Sequence, residues 1–177
     1  MNNLESHTDM DNTFIFMRRL SGCSASCCLA YLGSSIIPFQ VTSIMSRYQK
    51  TATEAGVFCF FDLIFFAAIM FVLPQLIGQK FIRKGALLGA AGCLSSNLLL
   101  AGHVIPENML WLAATMLGIS QAFLARSYVC AAADTANPQR TFILINAITP
   151  MLIALLILTI PVFDTFFGKL GEAPIKP

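Results

Sequence analysis

Residues 75–85 read QLIGQKFIRKG, and within them Lys80, Arg83 and Lys84 fall inside five positions between two long apolar runs. Such a break has two readings. It is a solvated turn that interrupts a soluble core, or it is a loop that must stay on one side of a membrane. The flanking sequence decides between them. A membrane-crossing helix needs about 20 mostly apolar residues, because each residue rises ~1.5 Å across ~30 Å of hydrocarbon. Five runs of that kind are present, at 20–45, 55–78, 85–105, 109–133 and 141–163. None shows the two-residue alternation of an outer-membrane strand. Long helices that are apolar on every face do not suit a soluble globule.

Composition points the same way. The chain has 177 residues, 56% hydrophobic and only 11% charged, against about 25% charge in an ordinary soluble domain. Its net charge of +2 and the lack of a basic, aromatic-interleaved stripe give no reason to expect a nucleic-acid partner. The expected architecture is an all-α integral membrane protein with about five transmembrane helices in the lipid bilayer. A polar N-terminal tail (1–19) and a short polar C-terminal tail (164–177) flank the bundle. The stretch 1–13 is polar, and the run after Arg18 and Arg19 exceeds the core of about 7–15 residues in a signal peptide. The first run is therefore expected to remain as a span.

Basic residues in short loops favour the cytoplasmic side. With the N-terminus inside, the inner segments carry Arg18, Arg19, Lys80, Arg83, Lys84 and Arg140, and the outer ones Arg47, Lys50, Lys169 and Lys176. The loop around Pro106 and Glu107 has no basic residue. QKFIRK then reads as a cytoplasmic loop, and helical spans with a basic inner loop suggest an inner or plasma membrane.

No HExxH, GxSxG or phosphate-binding glycine loop occurs, so neither an enzyme nor a cofactor is expected. Cys23 and Cys27 share a helix face, but His7 and His103 add no ligand spacing, and small apolar cysteines pack well between helices. No metal site is expected.

Charges inside the spans are costly, by about 2.5–3.5 kcal/mol or more at the centre of a span. Asp62 and Arg126 are the two ionisable residues in that position. Along the second and fourth spans their depths differ by ~15 Å at 1.5 Å per residue, too far for a direct salt bridge. Arg126 follows Ala114, Gly118 and Ala122 and precedes Cys130 at four-residue spacing, a small-residue ridge that would turn it into the bundle. It is either a solute contact, with Asn146 and Gln121 as companions, or a structural arginine snorkelling to the interface. Asp62 lies among Phe58, Phe61, Phe65 and Phe66. It is either a proton carrier or a neutral or water-exposed aspartate near the outer rim. Two further small-residue faces, Gly85–Gly89–Cys93–Asn97–Ala101 and Gly22–Ser26–Ala30–Ser34–Pro38, suggest helix packing or, in the first span, a polar pathway.

The loop and span order resemble the N-terminal half of a major facilitator superfamily transporter. That family places a glycine-, aspartate- and arginine-bearing motif, closed by two basic residues, in the loop between its second and third spans. Here Lys80 stands at the arginine, Arg83 and Lys84 match the basic pair, and Gln79 replaces the aspartate. Gln75 and Ile82 stand at the two glycines. The connection DTANPQRTF (134–142) is similar to the short proline- and arginine-bearing loop of many members. Thr149–Pro150 falls near the Gly-Pro pair of the antiporters, and Ala114 occupies the position nearest to their fourth-span arginine.

The resemblance implies a secondary transporter moving a small solute by alternating access. Gln79, Lys80, Arg83 and Lys84 would help to hold the inner side closed, and the cavity would lie between the first and fourth spans. Members have twelve spans, so five imply an incomplete bundle that works with a second half-transporter or as a homo-oligomer. A truncated, non-transporting remnant and a small membrane scaffold or assembly protein are the alternative expectations.

Overall fold

Pro38 breaks what the sequence presents as one long first span. In the computed structural model, which describes residues 2–76, 82–101, 106 and 109–171, α1 (Asn2–Ser35) ends at Ile36 and α2 (Ile37–Tyr48) leaves at 55° to it. Proline at the start of α2 has no N–H to donate, so the ladder cannot continue across it. The Ile36 amide instead donates to the Leu32 carbonyl at 3.0 Å and the Gly33 carbonyl at 3.3 Å, and the Gln40 amide restarts the ladder on the Ile36 carbonyl at 2.9 Å. Gln49, in the left-handed region at φ 50°, closes α2.

The remaining runs become α3 (Ala52–Leu76), α4 (Ile82–Ala101), α5 (Leu110–Ala133) and α6 (Pro138–Gly171). No strand occurs among the described residues. The helical backbone also extends into both predicted tails, since α1 starts at Asn2 and α6 runs to Gly171.

The local stops and starts have visible causes. The Thr51 amide and hydroxyl bond the Glu54 carboxylate at 2.9 and 3.0 Å, and the Glu54 amide returns to the Thr51 hydroxyl at 3.3 Å. That reciprocal pair is a capping box for α3, and Lys50 adds an ion pair to Glu54 at 3.8 Å. Asn137 caps α6 by accepting from the Arg140 amide at 3.1 Å, with Pro138 pre-set for the first turn.

The packing is organised around α5, which lies against α1, α3 and α4, while α6 rests chiefly on α1 and α2 on α3. The core divides into two clusters along the bundle. At one end Leu20 and Cys23 of α1 meet Tyr128 and Ala132 of α5. At the other Tyr48, Ala55 and Phe58 meet Leu110 and Ala113. The Tyr48 hydroxyl ties that second end together by donating to the Leu100 carbonyl at 3.1 Å.

Small residues set the helix spacing. A Cβ on Gly118 would collide with the α3 backbone at Asp62, and one on Gly89 would come within 2.7 Å of the Ser120 carbonyl of α5. The α4 seam does open with Gly85 and Gly89, as the sequence suggests, and Gly92 and Ser96 extend it. The first-span face is different from the expected one. Leu20, Cys23, Cys27 and Ala30 form the buried stripe of α1, whereas nothing lies within 4 Å of a Cβ placed on Gly22. Alternating three- and four-residue steps hold a helical face, while repeated four-residue steps wind away from it. The bend at Ile36 also removes Pro38 from that face.

The outer surface is apolar. Phe71 is 76% exposed, Met151 74% and Leu87 72%, a distribution that suits lipid or a protein partner rather than water. Two helices are long and apolar enough to cross a membrane, through Ala52–Pro74 and Pro138–Thr159, and the bent α1–α2 pair is a third if counted as one span. Of the other two, α4 carries Arg83, Lys84 and Asn97, and α5 carries Gln121 and Arg126, both within otherwise apolar runs.

The α3–α5 contact makes a clear stability prediction. Gly118→Ala is expected to destabilise the bundle by about 1–3 kcal/mol through overpacking. Gly22→Ala is expected to be neutral or slightly stabilising, because alanine is the better helix former by about 1 kcal/mol. Unfolding titrations with dodecyl sulfate in mixed micelles measure both; equal midpoints for the two variants would contradict the packing.

Candidate functional site

Asp62 sits where the two core clusters meet. On α3 one cluster runs to Phe61 and the other takes over at Phe66. Between them Asp62 turns inward toward α5 and is 1% exposed. The expected alternative of a rim aspartate in contact with water is therefore not the arrangement found. The backbone of α5 at Gly118 touches α3 at Asp62 and Phe66. One turn on, the Gln121 side chain, 3% exposed, lies beside the Asp62 carboxyl. The same carboxamide presses on Gly33 of α1, where a Cβ would collide with it. Three helices thus meet at one buried acid–amide pair. Cys59 of α3 and Cys93 of α4 lie close to the carboxyl.

The pair is incompletely satisfied. Asp62 Oδ1 is buried with no hydrogen-bond partner, and so is the Ser96 hydroxyl. No cation pairs with Asp62 among the described residues. Buried acceptors in native proteins are nearly always bonded. A carboxyl with one free oxygen in an apolar interior has the chemistry to take up a proton or to bind a donor group.

Arg126 is placed differently from the expectation. Ala114, Gly118 and Ala122 are buried against neighbouring helices, but Arg126 and Cys130 are only partly buried. Four residues turn a helix about 40° past a full revolution, so the stripe winds by about 160° between Ala114 and Cys130. Arg126 consequently leaves the packed face, with its Nε buried and unpartnered. It forms no ion pair with Asp62, in keeping with their different depths.

Asn146 does not join Gln121. The inward stripe of α6 is Thr141, Ile145 and Thr149, and Asn146 is exposed beside it. Of the loop residues, Gln79 and Lys80 lie outside the described residues, while Arg83 and Lys84 are exposed in the first turn of α4. The described residues contain no group of three metal-ligating side chains, and Cys23 and Cys27 belong to the apolar core.

Sequence reasoning missed an aromatic set that joins the same three helices. The Tyr31 and Tyr128 hydroxyls are 3.4 Å apart, and the Tyr31 ring stands edge-on to both Tyr128 and Phe66. The available signal was two of the chain's three tyrosines inside apolar runs, where a phenol needs a polar partner. Gly33 was also missed, since its role appears only when Gln121 is seen against it.

No family model, no curated protein and no solved structure matches the chain.

The site predicts coupling between its members. Gln121→Leu removes the amide beside a buried carboxyl and is expected to cost about 1–3 kcal/mol of stability. In a double-mutant cycle with Asp62→Asn the two changes should couple by at least about 0.5 kcal/mol. Strict additivity in the micellar unfolding assay would show that the two groups act independently.

Proposed function

We propose that this chain is a multi-pass membrane protein built like the N-terminal half of a major facilitator superfamily transporter. In this reading it moves a small solute by alternating access, working with a second half-transporter or with another copy of itself. The observation that carries the reading is Asp62, buried at a three-helix junction with one oxygen unpartnered and Gln121 beside it. A structural core has little use for such a group, whereas a proton-linked transporter needs one. Asp62 is the proton-coupling residue, Gln121 the polar contact facing it, and Arg126 a cationic contact for solute from the partly open side of α5. Asn146 is assigned to the surface that meets the second half.

The five-pass arrangement, with the N-terminus and the α3–α4 connection cytoplasmic, is part of the same proposal. It is supported by Arg18, Arg19 and Arg83 gathering at one end of the bundle and Lys50 lying near Trp111 at the other. The scaffold reading draws its support from α6, which rests mainly on α1 and exposes Ile143, Met151, Leu155 and Leu158.

Two measurements test the proposal. In proteoliposomes loaded with a pH-sensitive dye, the wild-type chain should carry a proton flux that Asp62→Asn lowers about tenfold or more, the lower part of the range assigned to a positioned acid–base group. Equal dye responses for wild type, Asp62→Asn and empty liposomes would remove the coupling role. For orientation, a membrane-impermeant maleimide should label Thr53→Cys in intact cells and Gln139→Cys only after lysis. The reverse pattern would invert the topology.

A further inference from the structure

A second feature lies at the opposite end of the bundle from Trp111. A cavity of ≈ 480 Å³ opens between the middle of α1, the first turn of α4 and the end of α5. Its size falls in the ~300–1,000 Å³ range of small-molecule sites. Arg18 and Arg19 reach it from α1, Arg83 from α4, and Ser127, Tyr128 and Asp134 from α5 and its C-terminal end.

Three arginines lining one cavity, against a single aspartate, place an excess of positive charge around it. None of the three forms an ion pair among the described residues, and Asp134, which shares the wall, pairs with none of them either. One carboxylate against three guanidiniums leaves the cavity cationic. An arginine fork matches two oxygens of a phosphate at once. Basic pockets between helices at the cytoplasmic face are where phosphate-bearing head groups bind.

We propose that the Arg18–Arg19–Arg83 cavity is a binding site for a phosphate group, carried either by an anionic lipid or by a free anion. The site is separate from the Asp62–Gln121 pair and does not depend on the chain being a transporter. If Asp62 proves inert, the cavity remains to be tested in its own right.

The experiment uses the full chain purified in mild detergent. Native mass spectrometry follows retention of added dioleoyl-phosphatidylglycerol against dioleoyl-phosphatidylcholine, and thermal melting follows inorganic phosphate at constant ionic strength. Wild type is expected to retain the anionic lipid selectively. At about fivefold per arginine, Arg83→Gln should weaken retention about fivefold and the triple variant Arg18→Gln, Arg19→Gln, Arg83→Gln about a hundredfold. Lys50→Gln, at the other end, should behave as wild type. A melting temperature raised by inorganic phosphate in wild type but not in Arg83→Gln would support the site and assign it to a free anion. Selective lipid retention with no phosphate response would support it as a head-group site. Equal retention of both lipids with no phosphate effect, or full retention by Arg83→Gln, would overturn the proposal. The single variant keeps the test decisive should the triple variant fail to fold.

Discussion

Helix α5 holds the central place because its backbone makes direct contact with α3. At Gly118 there is no Cβ, and the space a methyl group would fill is taken by the main chain at Asp62 and Phe66. The contact fixes the depth of the two helices relative to each other, and with it the position of every side chain one turn away. Gln121 comes to lie beside the Asp62 carboxyl and against Gly33 of α1. Elsewhere on α5, Gly85, Gly89 and Gly92 bring α4 close. The buried acid is thus held by main-chain packing on its own helix, and a bulkier residue at 118 would alter its surroundings without touching it directly. Van der Waals contact of this kind is the main adhesive available where lipid removes the hydrophobic drive between helices.

How much of this is legible in the sequence varies from element to element. The helix at 52–76 is recoverable from the apolar run 55–78, because run length and Thr51–Glu54 capping are local properties. The inward turn of Asp62 is not recoverable. Helix α3 is apolar on all sides, so periodicity has no contrast from which to tell which face is packed. The same blindness affects α1, where Gly22 and Ser26 look as suitable for packing as Cys23 and Cys27. Only the neighbouring helices distinguish the two stripes. Pro38 is visible, but the apolar residues on both sides of it suggest one continuous span. The spacing argument draws Arg126 toward the interior because it ignores the slow rotation of a four-residue ridge, and depth along the span says nothing of which way Asn146 faces.

The two polar features of the bundle contrast in a way that bears on their chemistry. Asp62 and Gln121 are both buried where α1, α3 and α5 meet. Arg18 and Arg19 on α1 and Arg83 on α4 stand around an open cavity. The first arrangement offers a buried carboxyl oxygen without a partner. The second gathers three arginines and one aspartate, and the field of exposed charges falls with ionic strength as solvent screens it.

The bend at Ile36 divides the first apolar run into two arms with different attachments. The longer arm, α1, is fastened to α5 and α6, and the shorter, α2, chiefly to α3. A straight helix would transmit every tilt along its length and bind those neighbours into one rigid body. With Pro38 interrupting the ladder, the two arms instead meet at 55°. It lies within one turn of Gly33, where Gln121 rests. The run that looks most continuous in sequence is therefore the one whose two halves serve different core clusters.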